Sequence, residues 1–175
     1  MNEYGVVTDP DTVRIERVLP GPIERVWDYL TDSEKRGTWL ATGKMDLRVG
    51  GKVELKFHHA DLSAEKEIPE RFREKCAGDV RMNGVVTACD PPRLLSFTFG
   101  DAGEVTFELT PKGKDVLLVL THRRLPDRKT MVGVSTGWHS HLGILIDLLN
   151  GDESRPFWTT VTKMEAEYQK RIPGA

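Results

Sequence analysis

No apolar run in this chain approaches the roughly 20 residues needed to cross a bilayer as a helix. The longest candidate, Leu142 to Leu149, is interrupted by Asp147. The opening "MNEYGVVTDPDT" has neither the basic region nor the apolar core of a secretory signal, so a cytoplasmic location is expected. There are only 2 cysteines, Cys76 and Cys89, in no CxxC arrangement. That excludes a disulfide framework and points to a reducing compartment. A formal net charge of −2 gives no general attraction for nucleic acid or for an anionic membrane. No GxSxG, GxGxxG or P-loop pattern occurs, and "VGGK" lacks the spacing to cradle a phosphate. Neither a catalytic nucleophile nor a cofactor is indicated, and no metal set is seen.

What is present has the size of one domain: 175 residues, 38% hydrophobic and 30% charged. "TVRIERVLP", residues 12–20, is rich in β-branched residues and reads as a strand ended by "PGP". Ile23, Val26, Trp27 and Leu30 then fall on one face of a helix that starts near Pro22. Thr31 or Asp32 caps a second short helix, which stops near Gly37. Three strand pairs follow. The first is a hairpin in which Met45, Leu47 and Val49 alternate, Gly50 and Gly51 turn, and Val53, Leu55 and Phe57 alternate again. The second is hinged at Asp90-Pro91-Pro92, and the third turns at "PKGK" with Val105, Phe107 and Leu109 on one face. The apolar run Val116 to Leu120 predicts a strand covered on both faces.

Val134 to Asn150 reads as a long core helix stopped by Gly151. A further helix over 155–172 carries the stripe Phe157, Val161, Met164 and Tyr168. Residues 60–80 hold ten charged side chains and read as a long surface excursion with a short helix at Pro69 to Lys75. A curved antiparallel sheet cannot cover its own concave face, and a long apolar helix arriving late in the chain is the natural filler. The expected fold class is therefore α+β.

At this level of detail the chain resembles the START-like SRPBCC superfamily. Within it, the similarity is to the family named after the C-terminal domain of the activator of heat-shock-protein-90 ATPase. The matching pieces are "RVLPGPIERVWDYLTDSEKRGTWL", "GKMDLRVGGKVEL", "GVVTACDPPRLLSFTF", "VTFELTP", "VLLVLTHRRLP" and "GWHSHLGILIDLL", which together span roughly residues 12–150. The resemblance implies a helix-grip fold (START-like, Bet v-like), with a curved sheet around a long C-terminal helix and a hydrophobic cavity between them. It implies no fixed catalytic set, and it implies ligands such as lipids, polyketides or flavonoid-like molecules. The excursion over 60–80 and the helix over 155–172 depart from the family pattern. That helix is expected to cap the cavity, to pack on the outer face of the sheet, or to pair with a second copy.

The histidines need separate treatment. His139 and His141 are spaced i, i+2, about 200° apart around a helix, so one ion cannot easily be reached by both. His141 is expected on the flank of the inner face, with His139 nearer solvent. Of His58 and His59 one faces inward, and His59 is expected to be the exposed member. His122 shares the parity of Leu118 and Leu120 and is either a hydrogen-bonded core residue or part of a pocket wall. Cys89 reads as a small core residue and Cys76 as the more exposed thiol. The basic cluster 122–129 reads as a solvated loop.

The leading expectation is a single domain over 1–175 that encloses a small, largely apolar ligand without a cofactor. Its core spans 12–150. Expected lining residues are Trp27, Trp39, Phe57, Phe97, Phe107, Trp138, His141, Leu142 and Leu145, with His122 as an outside choice. The excursion and a loop over 125–136 would gate access. Two other readings stand beside it: a chaperone-associated module that binds a larger protein, and a cyclase- or dehydratase-like enzyme using His122, His141 or Asp147. No nucleic acid and no stable membrane insertion are expected, and a homodimer is possible.

Overall fold

The computed structural model describes residues 3–76 and 78–174. Strand β1 (Val6–Asp9) pairs with β2 (Thr12–Pro20), and two short helices follow, α1 (Ile23–Thr31) and α2 (Ser33–Gly37). Next come β3 (Lys52–Phe57), a single 3-10 turn at His59–Asp61, and α3 (Glu70–Cys76) inside the charged excursion. Four strands complete the sheet: β4 (Val80–Asp90), β5 (Leu94–Thr98), β6 (Glu104–Lys112) and β7 (Asp115–Arg123). Helices α4 (Arg128–Leu149) and α5 (Phe157–Arg171) close the chain. The strands form one antiparallel sheet in the order β1-β2-β7-β6-β5-β4-β3. The fold is α+β, a curved sheet gripping α4, as the sequence implies.

Alternation sets the concave face. Val53, Leu55 and Phe57 of β3, Val105, Phe107 and Leu109 of β6, and Leu118 and Leu120 of β7 are all buried. They pack with Val26, Trp27 and Leu30 of α1 and with Trp138, Leu142 and Leu145 of α4 in one continuous core. Helix α4 is buried on more than this side. Val132, Ser135, Thr136, His139 and Gly143 are buried too, because α5 packs along its other face. A second cluster, Val13, Leu125, Met131, Val132, Met164, Tyr168 and Ile172, fills the space between α4, α5 and the first strands. The extra C-terminal helix therefore lies on α4 and not on the convex face of the sheet.

Four expectations need correction. The arm 44–49 is not a strand: only the isolated bridges Thr42↔Lys56 and Met45↔Val53 tie it down. Leu47 and Val49 are exposed, so their alternation has no packed face to serve. The seventh strand is instead β1, an edge strand with only Val6 and Val7 as apolar residues. The presumed loop 125–136 is mostly helix: Asp127 accepts a hydrogen bond from the Thr130 amide at 2.7 Å and starts α4 at Arg128. His139 does not lie near solvent. Its Nδ1 is 2.9 Å from the Tyr168 hydroxyl, which also accepts from the Gly5 amide at 2.7 Å. Burial, then the charge of Arg17, lowers its pKa to about 4 and keeps it neutral.

The link from α2 to β3 is organised by Arg36, which is 1% exposed. Its guanidinium donates to the carbonyls of Leu30 and Thr31, which α1 leaves without helical partners at its C-terminal end. It also donates to Ala41 and Gly43 in the following loop. That places Trp39 and Leu40 in the core, and the Trp39 indole N–H donates to the Tyr29 carbonyl at 2.7 Å.

Candidate functional site

Between the first half of α4 and the β3–β5 end of the sheet, the core is not filled. A cavity of about 460 Å³ is bordered by Leu40, Phe57, Val80, Met82, Phe99, Val134 and Trp138, with Gly133 and Gly137 on the α4 side. His59, Lys75, Cys76 and His141 complete the wall. A smaller hollow of about 170 Å³ shares His59, Cys76, Gly133, Gly137 and His141 with it and continues beneath α3 toward Phe157, Trp158 and Val161 of α5. The volume falls in the range that holds drug-sized molecules.

The glycines matter most to this space. Gly133 and Gly137 stand four apart on one helix face, where each costs about 1 kcal/mol relative to alanine. A methyl group added at either would meet no atom within 4 Å. Gly137 is half-buried against the cavity, while Gly133 is exposed at its mouth.

The roof comes from the excursion, and α5 fastens it. The Ser63 hydroxyl accepts from the Phe157 amide at 3.1 Å, and Glu65 accepts from the Thr159 amide at 2.8 Å, so the excursion caps the start of α5. Arg71 pairs with Glu165 at 3.0 Å, and Phe72 stacks on Trp158 with ring centroids 5.4 Å apart. The stripe of α5 serves two contacts: Phe157 and Val161 border the smaller hollow, while Met164 and Tyr168 pack in the second cluster against α4.

The wall histidines are neutral. His141 Nδ1 donates to the Trp39 carbonyl at 2.7 Å, which leaves its other ring nitrogen as an acceptor. Burial drives its pKa down to about 3. His59 was expected to be exposed, but it lies among Phe57, His141, Phe157 and Trp158, with ring centroids between 5.6 and 6.2 Å. The strand ends at Phe57, and the 3-10 turn that follows carries the His59 ring inward. Burial, then neighbouring His58, lowers its pKa as well. Cys76, expected to be the exposed thiol, borders both hollows, and burial raises its pKa, so it stays a thiol.

Of the residues expected to line a pocket, Phe57, Trp138 and His141 border the cavity. Trp27, Trp39, Phe97, Phe107, Leu142 and Leu145 lie behind this surface in the packed core. His122 is fully buried. Its Nε2 donates to the Ala102 carbonyl and its Nδ1 accepts from the Trp138 indole at 3.0 Å, so it braces the tryptophan from behind. Asp147 is away from the cavity, in an ion pair with Arg155 at 2.7 Å that holds its pKa below the usual carboxylate range. Of the three groups considered for acid–base chemistry, only His141 touches the cavity. Sequence reasoning missed Leu40, Val80, Met82, Phe99 and the two glycines. A pair of glycines spaced i, i+4 in an otherwise apolar core helix is the one signal that would have found the space. Among the described residues, no cluster of His, Cys, Asp and Glu is arranged to hold a metal ion. No described helix is long and apolar enough to cross a membrane.

Comparison with known proteins fits this architecture. The solution structure of a protein from Bordetella parapertussis is 41% identical, with a TM-score of 0.83 over 99% of this chain and 92% of that one. The crystal structure of CalU16 from Micromonospora echinospora is 22% identical, with a TM-score of 0.68, covering 93% of this chain and 89% of that one. A conserved protein of unknown function from Enterococcus faecalis is 20% identical, with a TM-score of 0.63 and coverage of 94% and 86%. These last two speak to the fold alone. No curated protein matches. The model of the family "Activator of Hsp90 ATPase homolog 1-like protein" matches residues 20–150, three quarters of the sequence, and the chain belongs to that family.

Proposed function

We propose that the protein binds a small, largely apolar molecule in the cavity between α4 and the sheet. The observation that carries this reading is the pair Gly133 and Gly137. Both cost the helix stability; Gly137 borders the cavity half-buried, Gly133 stands at its solvent-exposed mouth, and a methyl group at either would meet nothing beyond its own helix. A module built only to present a surface has no use for an unfilled interior. Affinity would come from apolar area removed from water, about 25 cal/mol per Å², with few polar groups to fix orientation.

The test fills the space. Gly137→Leu places a side chain into the cavity and improves helix propensity, so the variant is expected to melt no lower than the parent. The parent should bind the neutral fluorescent probe N-phenyl-1-naphthylamine with one-to-one stoichiometry, and Gly137→Leu should lose at least about tenfold in affinity. Equal binding by both proteins, or no saturable binding by the parent, would defeat the reading.

A further inference from the structure

Helix α3 cannot support itself. It has 7 residues and fully buries none of them. A helix that short has no stability of its own in water, so outside contacts must hold it. Its contact with the interior comes from Phe72 and Cys76, one turn apart and half-buried against the core. Cys76 borders both hollows, and the exposed Lys75 borders the larger cavity, as does the exposed Gly133 of α4. The mouth therefore runs between the two helices, and α3 forms one of its lips.

The chain on either side of α3 is anchored. Before it, Leu62 and Ser63 are buried, and Ser63 and Glu65 cap α5. After it, Asp79 pairs with His58 at 2.7 Å and with Lys56 at 3.4 Å, and Val80 enters the sheet opposite Phe57. Within the stretch between, Arg73 bonds locally, to the Ile68 carbonyl at 2.9 Å and to Glu67 at 3.8 Å. The helix itself is tied to α5 by the ion pair Arg71–Glu165 and by Phe72 against Trp158. The Arg71 guanidinium also lies 5.0 Å over the Phe72 ring, so the two contacts form one clasp. The paired side chains are 50% and 27% exposed. An ion pair so open to water holds weakly, biasing an equilibrium by no more than about fivefold.

We propose that α3 is a gate: a short helix that swings between fixed posts at Glu65 and Asp79, closed by the clasp of Arg71 and Phe72 on α5, and widening the cavity mouth when the clasp lets go. Its role as a gate rests on the binding reading above, whereas its motion does not.

Amide hydrogen exchange followed by mass spectrometry reads the motion without a ligand. Glu165→Lys turns attraction into repulsion, and exchange over 70–76 is expected to quicken at least about threefold with α4 unchanged. Combining Arg71→Glu with Glu165→Lys rebuilds the pair with its charges exchanged. That double variant should return the rate, corrected for intrinsic exchange, to within about twofold of the parent. Salt at about 0.5 M should quicken exchange in the parent by screening the pair, a test that needs no substitution. Stopped-flow mixing with N-phenyl-1-naphthylamine then reads the gate. Association and dissociation should both quicken about threefold in Glu165→Lys and return in the double variant. An α3 already unprotected in the parent, or one whose exchange ignores the substitution or the salt, overturns the proposal. So does a rise that the exchanged pair fails to reverse. If exchange responds and probe kinetics do not, the gate is overturned and the apolar cavity stands. A parent that binds no probe overturns the binding reading and the gate together.

Discussion

Replacing Arg36 by methionine is expected to cost about 3–5 kcal/mol, in a domain whose whole stability is on the order of 5–15 kcal/mol. The side chain is 1% exposed and contacts only carbonyls: Leu30 and Thr31 at the end of α1, Ala41 and Gly43 in the next loop. Among the described residues no carboxylate is bonded to it, and the charge of Asp32 acts on it without a hydrogen bond. Burial lowers its pKa to about 10, still far above neutrality, so the charge persists and is solvated by peptide dipoles. Methionine fills a similar volume but donates nothing, and the buried carbonyls lose a shared charged donor. Lysine should recover only part of the loss, because one ammonium cannot span the separate directions that the planar fork serves. Urea unfolding of the parent, Arg36→Met and Arg36→Lys gives the comparison. A loss below about 1 kcal/mol for methionine would mean that water replaces the guanidinium and that the loop is not held by it.

Mild acid is expected to destabilise the protein before its carboxylates are protonated. His59, His122, His139 and His141 all have pKa values lowered in the folded state, first of all by burial. A histidine in the unfolded chain titrates near 6.5. Above that pH both states are neutral and the full stability is present. As pH falls below it, the unfolded chain takes up protons that the folded chain refuses, and stability declines until the folded values are reached. For His139 and His141 those are about 4 and about 3. His141 alone contributes a slope of about 1.4 kcal/mol per pH unit, or about 2 kcal/mol between pH 6.5 and pH 5. Asp127 and Asp147, held below the ordinary carboxylate range by Thr130 and Arg155, lose their contribution only at lower pH. His141→Asn retains a donor for the Trp39 carbonyl and cannot titrate. Denaturant midpoints followed from neutral pH to about pH 5 should therefore flatten in the variant by roughly one proton's worth of slope. An unchanged slope would show that His141 takes up its proton without unfolding.

Period-two alternation was enough to find β3 and β6, whose Val53, Leu55, Phe57, Val105, Phe107 and Leu109 are buried on the concave face, while β2 and β7 were legible from their β-branched and apolar runs. It failed where burial does not follow pattern. Leu47 and Val49 alternate as well as any strand pair, yet they project from an arm that has no packed neighbour. Val6 and Val7 carry too little apolar character to announce β1, which exists because the edge of β2 is free to pair. The start of α4 was hidden by its charged first turn, and the signal there was the capping aspartate, Asp127. The cavity was only partly legible. Sequence pattern distinguishes inward from outward, so Phe57, Trp138 and His141 were found along with six core residues that face the same way but touch no open space. Whether inward-facing volume is filled depends on chains that meet across the fold. Here the meeting is of Gly133 and Gly137 with Val80, Met82 and an excursion whose roof is fastened by Trp158 and Glu165.

All neighbouring strands in this sheet are consecutive in the chain except β2 and β7, which pair from Val13↔His122 to Pro20↔Asp115. A ribosome adding roughly 5–20 residues per second completes β2 many seconds before its partner exists. During that interval Val13, Ile15 and Leu19, all fully buried in the finished protein, have no sheet to join. The hairpins of β4 to β7 are local and form quickly, whereas the closure of β2 on β7 is the longest-range pairing and sets the pace. The chain therefore passes through a stage with an adhesive N-terminal strand. Its soluble yield depends on how quickly β7 emerges, a demand on synthesis that equilibrium stability does not register.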